Sequence, residues 1–122
     1  MVPGSMSREA GTMRGRLRQT ELWLRYNFPC RSRVRVRFVK TLNSGADHGW
    51  TRPKKRWLQI TLELGKCEQC ATDKLCHEWA HAVTYSLGER RHHGAQWGYL
   101  YGRITDAWDE KGVNAFSPRP WR

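Results

Sequence analysis

Residues His77-Glu78-Trp79-Ala80-His81 read H-E-x-x-H, the spacing that can place two imidazoles on one metal ion. On an α-helix, residues four apart lie above one another on the same face. Two histidines at that spacing can ligate one tetrahedral zinc, each nitrogen roughly 2.0–2.1 Å from it. Glu78 sits about 100° further round the helix. There it can act on water as a general base without occupying a coordination position. A chance match is expected in roughly one chain per hundred of this length and composition, so the surroundings must support it. The alternative is a pair of half-buried histidines with no metal, which explains neither the paired spacing nor the intervening glutamate.

A catalytic zinc takes three protein ligands as a rule and leaves one position open. The pattern H-E-x-x-H-x-x-G-x-x-H fails here, because Thr84 replaces its glycine and Leu87 its last histidine. His92, His93 and the downstream acids Asp106, Asp109 and Glu110 remain as candidates. His93 is preferred, because the break at Gly88 lets residues 86–91 turn the chain back toward the first helix. Cys67-x-x-Cys70, with Cys76 within reach, has spacing suited to a second, structural zinc. Free thiols are the preferred reading of these cysteines and of the distant Cys30.

The elements that must position these groups follow from periodicity. Leu75, Trp79, Ala82 and Val83 form an apolar stripe at helical spacing, with Thr72 as N-cap, Asp73 in the first turn and Gly88 as the stop. Val34, Val36 and Phe38 alternate with Arg33, Arg35 and Arg37, which predicts a half-buried strand over 33–40. Leu58, Ile60, Leu62 and Leu64 predict a second strand over 57–64, the expected sheet edge for an extended substrate. A helix is expected in the later part of 8–28, where Leu17, Trp23 and Leu24 can dock and Gly11 and Gly15 weaken the start. Another is expected over 94–108, with Trp97, Leu100, Tyr101, Ile104 and Trp108 on its apolar face. Asn43-Ser44-Gly45 reads as a turn. The fold class is α+β, a small antiparallel sheet packed on helices with the H-E-x-x-H helix beneath an edge strand.

Charge divides the chain. Of the 22 Lys and Arg and 11 Asp and Glu, residues 1–60 hold 14 basic and 3 acidic, and residues 61–122 hold 8 of each. The half carrying H-E-x-x-H is therefore neutral, and the other half carries the whole excess of +11. Arg33, Arg35 and Arg37, with Lys54, Lys55 and Arg56, predict a basic patch rimmed by Trp50 and Trp57. Such a patch suits phosphate backbones of DNA or RNA, the tryptophans being able to stack on unpaired bases. An acidic protein partner or a plain solvated face are the other readings.

The H-E-x-x-H stretch followed by His93-Gly94-Ala95-Gln96-Trp97 resembles the SprT-like (spartan-type) zinc metallopeptidases. The segment 49–64 is also similar to theirs, and the likeness covers about residues 47–108. The resemblance implies a zincin-like fold with H-E-x-x-H on the central helix. It implies His77, His81 and His93 as zinc ligands, Glu78 as the catalytic base, a protein or peptide substrate, and a link between DNA and proteolysis. Two departures stand out: the gap from His81 to His93 is short, and a cysteine-containing loop precedes the catalytic helix. Oxyanion stabilisation is expected from Tyr85, Tyr99 or Tyr101, and the pattern does not choose among them. Residues 1–6 read as an expression remnant or disordered start, 7–116 as one domain and 117–122 as a tail. With no apolar run suited to a signal peptide or membrane span, an intracellular protein, cytoplasmic or nucleoid-associated, is expected.

Overall fold

The computed structural model describes residues 11–42, 48–65 and 67–113. Residues 1–6, read above as a remnant or disordered start, the turn expected at 43–45 and the tail expected at 117–122 lie outside the described residues. Helix α1 spans Met13–Asn27, and Thr12 caps it by accepting the Gly15 N–H at 3.0 Å. Strand β1 spans Val34–Val39, β2 Gly49–Pro53 and β3 Leu58–Glu63. Helices α2, Glu68–Ser86, and α3, Ala95–Val113, complete the order. No described helix is long and apolar enough to cross a membrane.

The fold is α+β, but its sheet is mixed rather than antiparallel. The strand order is β1-β3-β2, with β1 parallel and β2 antiparallel to β3. Alternation sets which side chains face the core, not which strands are neighbours, so the pattern leaves the order open. β3 therefore fills the centre of the sheet instead of an edge. Leu58, Ile60 and Leu62 are buried toward the helices, while Thr61 is buried on the other face between its register partners Arg37 and Trp50. β2, for which the periodicity predicts no strand, is a short edge strand. Pro53 is tolerated because it pairs with Leu58 at a position where β2 needs no donor toward β3.

α2 starts five residues earlier than the Thr72 signal predicts. Cys67 is the N-cap, its Sγ accepting the Cys70 N–H at 3.2 Å, and Glu68 supplies the first-turn carboxylate. The helix ends as expected, with Gly88 left-handed at φ +101°. Leu75, Cys76, Trp79, Ala80, Ala82 and Val83 are buried around much of its circumference, which makes α2 the central helix. Gly49 lets it approach β2, since a Cβ there would lie 3.0 Å from Leu62 Cδ1 and 3.3 Å from Lys74 Cγ.

α1 closes one edge of the sheet. The carbonyls of Arg33 and Val39 point to β3, so those of Val34 and Val36 point outward. Arg25 donates to Val34 O at 2.8 Å and Arg18 to Val36 O at 3.0 Å, with the Glu21 carboxylate bridging both guanidiniums at 2.6–2.9 Å. The 18, 21, 25 spacing puts all three on one helix face. Replacing Glu21 by Gln leaves two guanidiniums together without their anion. It should lower the unfolding free energy by about 1–3 kcal/mol, read from the denaturation midpoint, the partial exposure of the arginines limiting the loss.

Candidate metal centre

His77 and His81 lie one turn apart on the half-buried polar stripe of α2, their Nε2 atoms 3.2 Å apart. The third imidazole comes from the loop between α2 and α3. His93 adopts φ +57°, the one positive value at a non-glycine among the described residues, a conformation that costs on the order of 1–2 kcal/mol. It brings His93 Nε2 to 3.2 Å from His77 Nε2. Two nitrogens at tetrahedral angles on one zinc would be about 3.3–3.4 Å apart. All three ligand atoms lie within 4.8 Å of one another, and the donor set therefore fits a metal ion.

The residues after His93 hold this arrangement. A Cβ on Gly94 would lie 2.7 Å from Glu89 Oε2 and 3.0 Å from Arg91 Cβ, so a side chain there would displace the Glu89 carboxylate and crowd Arg91. Trp97 donates from Nε1 to His77 O at 3.3 Å, and its ring stacks on His81 at 5.1 Å and lies 4.4 Å from His93. The spacing His-Gly-x-x-Trp thus supplies the third imidazole, a loop closure and a brace across the site. A model of the SprT-like family matches residues 10–116. The chain belongs to the SprT-like family. No curated protein and no solved structure matches it significantly.

In this SprT-like chain the other third-ligand candidates fall outside the converging group. His92 is exposed and stacks on His81 at 4.8 Å, and Asp106, Asp109 and Glu110 belong to the later turns of α3. Glu78 is buried at 4% exposure, with Oε2 3.9 Å from His77 Nε2. It is thus next to the imidazoles but not among them. Thr51 donates to its Oε1 at 2.6 Å, and Lys74 Nζ lies 3.1 Å from Oε2. Sequence reasoning missed both partners. Lys74 was detectable as the i−4 neighbour of Glu78, whereas nothing in the sequence marks Thr51.

A cavity of about 520 Å³ opens over the histidines, between β2 and the loop carrying Arg90 and Arg91. Tyr85 is the one tyrosine of the three candidates that lines it, beneath the Arg90 guanidinium at 3.9 Å. Tyr101 instead donates to Asp73 Oδ1 at 2.5 Å, and burial and that carboxylate raise its pKa. Tyr99 is 69% exposed.

The cysteines do not converge as three ligands; among the described residues the histidines form the one such group. Cys67 and Cys70 are exposed, whereas Cys76 is in the core, its thiol pushed up to about 12 by burial. Arg33, Arg35 and Arg37 are exposed, as are Lys54, Lys55 and Arg56 at the β2–β3 turn. The rim tryptophans already carry guanidiniums. Arg35 lies 4.3 Å over Trp57, and Arg52, which the charge pattern did not single out, lies 4.2 Å over Trp50.

Burial lowers the pKa of all three imidazoles, His81 to about 3 with further repulsion from His77, His92 and His93. The rings are therefore neutral near pH 7, with lone pairs available. An unfolded histidine takes up its proton near pH 6.5. Below that pH the unfolded chain binds protons that the folded rings refuse, so stability is full above about 6.5 and is lost as the pH falls toward the folded values. Denaturant titrations of chelator-treated protein from pH 8 to 4 should show this decline, and His81→Gln should make it shallower.

Proposed function

We propose that this chain is a zinc-dependent metallopeptidase with a zincin-like active site, hydrolysing peptide bonds in protein or peptide substrates. The observation that carries the reading is His77 Nε2 at 3.2 Å from the Nε2 of both His81 and His93, a group that could hold one ion, with a buried carboxylate beside it and outside the set. His77, His81 and His93 would hold the zinc. When bound, it would supply a Lewis acid that polarises the scissile carbonyl and acidifies water. Glu78 would take the proton from the attacking water and hand it to the leaving amine. The substrate would lie extended along β2, the edge beside the site, rather than along the central β3. A non-enzymatic module with a structural zinc accounts less well for the site, since structural zinc usually has four protein ligands and three converge among the described residues.

Glu78→Gln keeps the size of the side chain and removes the base. It should retain zinc, measured by elemental analysis, and lose hydrolysis of an unfolded protein substrate by about 10²–10⁴-fold. His93→Ala should instead lose most of the metal. Equal cleavage by wild type and Glu78→Gln would remove the mechanism.

The exposed basic face supports a second role in binding DNA or RNA. Arg35, Arg37 and Arg52 project from the sheet face opposite the helices, beside the turn with Lys54, Lys55 and Arg56. Because guanidiniums cover Trp50 and Trp57, phosphate contact would contribute most of the affinity and base stacking less. Changing Arg33, Arg35 and Arg37 together to Gln should reduce the slope of log K against log salt by roughly 2–3 for duplex DNA, at unchanged zinc content. An unchanged slope would leave these residues as a solvated face.

A further inference from the structure

We infer that Thr51 is a positioning residue that couples the substrate's register on the β2 edge to the orientation of the Glu78 carboxylate, which rests on the peptidase reading above. Strand β2 bonds to β3 through its even-numbered residues: His48 O accepts from Glu63 N–H, and Lys54 N–H donates to Trp57 O. In an antiparallel pair the alternate residues turn their main-chain groups the other way. Gly49, Thr51 and Pro53 therefore direct theirs away from β3, to the edge that is open among the described residues. Proline has no N–H, so Thr51 is the last residue toward the turn that can offer an incoming strand both a donor and an acceptor.

The side chain of the same residue points at the base. Thr51 Oγ1 lies 2.6 Å from Glu78 Oε1 and 3.2 Å from Glu78 O, so its single hydrogen has the carboxylate as the nearer acceptor. Lys74 Nζ holds the other oxygen at 3.1 Å. Each carboxylate oxygen thus has one donor, and the two donors come from different elements, an edge strand and the helix itself. Without the hydroxyl, Oε1 loses this donor, and the strongest remaining pull is toward Lys74. A strand added at Thr51 and a base oriented by Thr51 are fixed by one backbone unit. Because Thr is β-branched, its χ1 is restricted, and the hydroxyl cannot swing far from that unit.

The test compares wild type, Thr51→Val and Thr51→Ser in the full zinc-loaded chain, using one unfolded protein substrate. Thr51→Val should lower kcat by about 10–100-fold with KM within about twofold and zinc content unchanged, whereas Thr51→Ser should stay within about threefold of wild type. If Thr51→Val does not fold, as judged by circular dichroism, Thr51→Ala takes its place. A second readout needs no activity. In metal-free protein, Thr51→Val should shift the denaturation midpoint more in the presence of Glu78 than in the Glu78→Ala background. Wild-type kcat in Thr51→Val, a change in KM alone, serine failing as badly as valine, or additive midpoint shifts would each overturn the inference. An inactive zinc-loaded wild type would instead overturn the peptidase reading, and this inference with it. Activity lost in Glu78→Gln but kept in Thr51→Val would sink the inference alone.

Discussion

Helix α2 must be buried around much of its circumference and still present one polar stripe, and the remaining elements answer those two demands. Its apolar side is taken up by α1, β3 and α3 through Leu75, Trp79, Ala80 and Val83. Trp79 is the largest fully buried side chain, and its indole would cost a lost hydrogen bond in that core if it had no acceptor. Phe28 O, just beyond the end of α1, supplies one at 2.8 Å. The polar stripe, His77, Glu78 and His81, then faces the gap left between β2 and the His93 loop. Glu78 can be as buried as it is only because Thr51 and Lys74 compensate the lost hydration of its carboxylate.

The neutrality of the imidazoles has the same origin. Three rings crowded at contact distance would repel one another if charged, and each is partly removed from water. Lys74 adds a further positive charge nearby. The site therefore resists protons and remains receptive to a Lewis acid that can replace the lost solvation, a preference built from packing before any ion arrives.

How far the sequence could be read depended on how local each constraint is. His77, Glu78 and His81 belong to one helix whose periodicity fixes their relative placement, so their juxtaposition was fully legible. His93 was reachable because Gly88 marks where the helix stops and few residues remain to turn back. Thr51 was not, since its contact with Glu78 spans 27 residues and depends on which strand lies beside α2. β2 escaped notice because glycine and proline occupy its ends and it lacks a clean apolar alternation. The early start of α2 was hidden by an unusual cap, a thiol doing what a hydroxyl or carboxylate commonly does. The charge division was legible as composition, but the stacking of Arg35 and Arg52 on tryptophan required the sheet register.

The closure of the β1 edge by Arg18, Glu21 and Arg25 reaches beyond the single molecule. A sheet with two open sides can propagate, each copy extending the last, and unprotected edges are how such growth begins. Here the guanidiniums occupy the outward carbonyls of Val34 and Val36, and among the described residues the β2 edge carries no such cover. With the β1 side occupied in this way, an added strand is steered toward β2, the edge that also borders the cavity over the histidines.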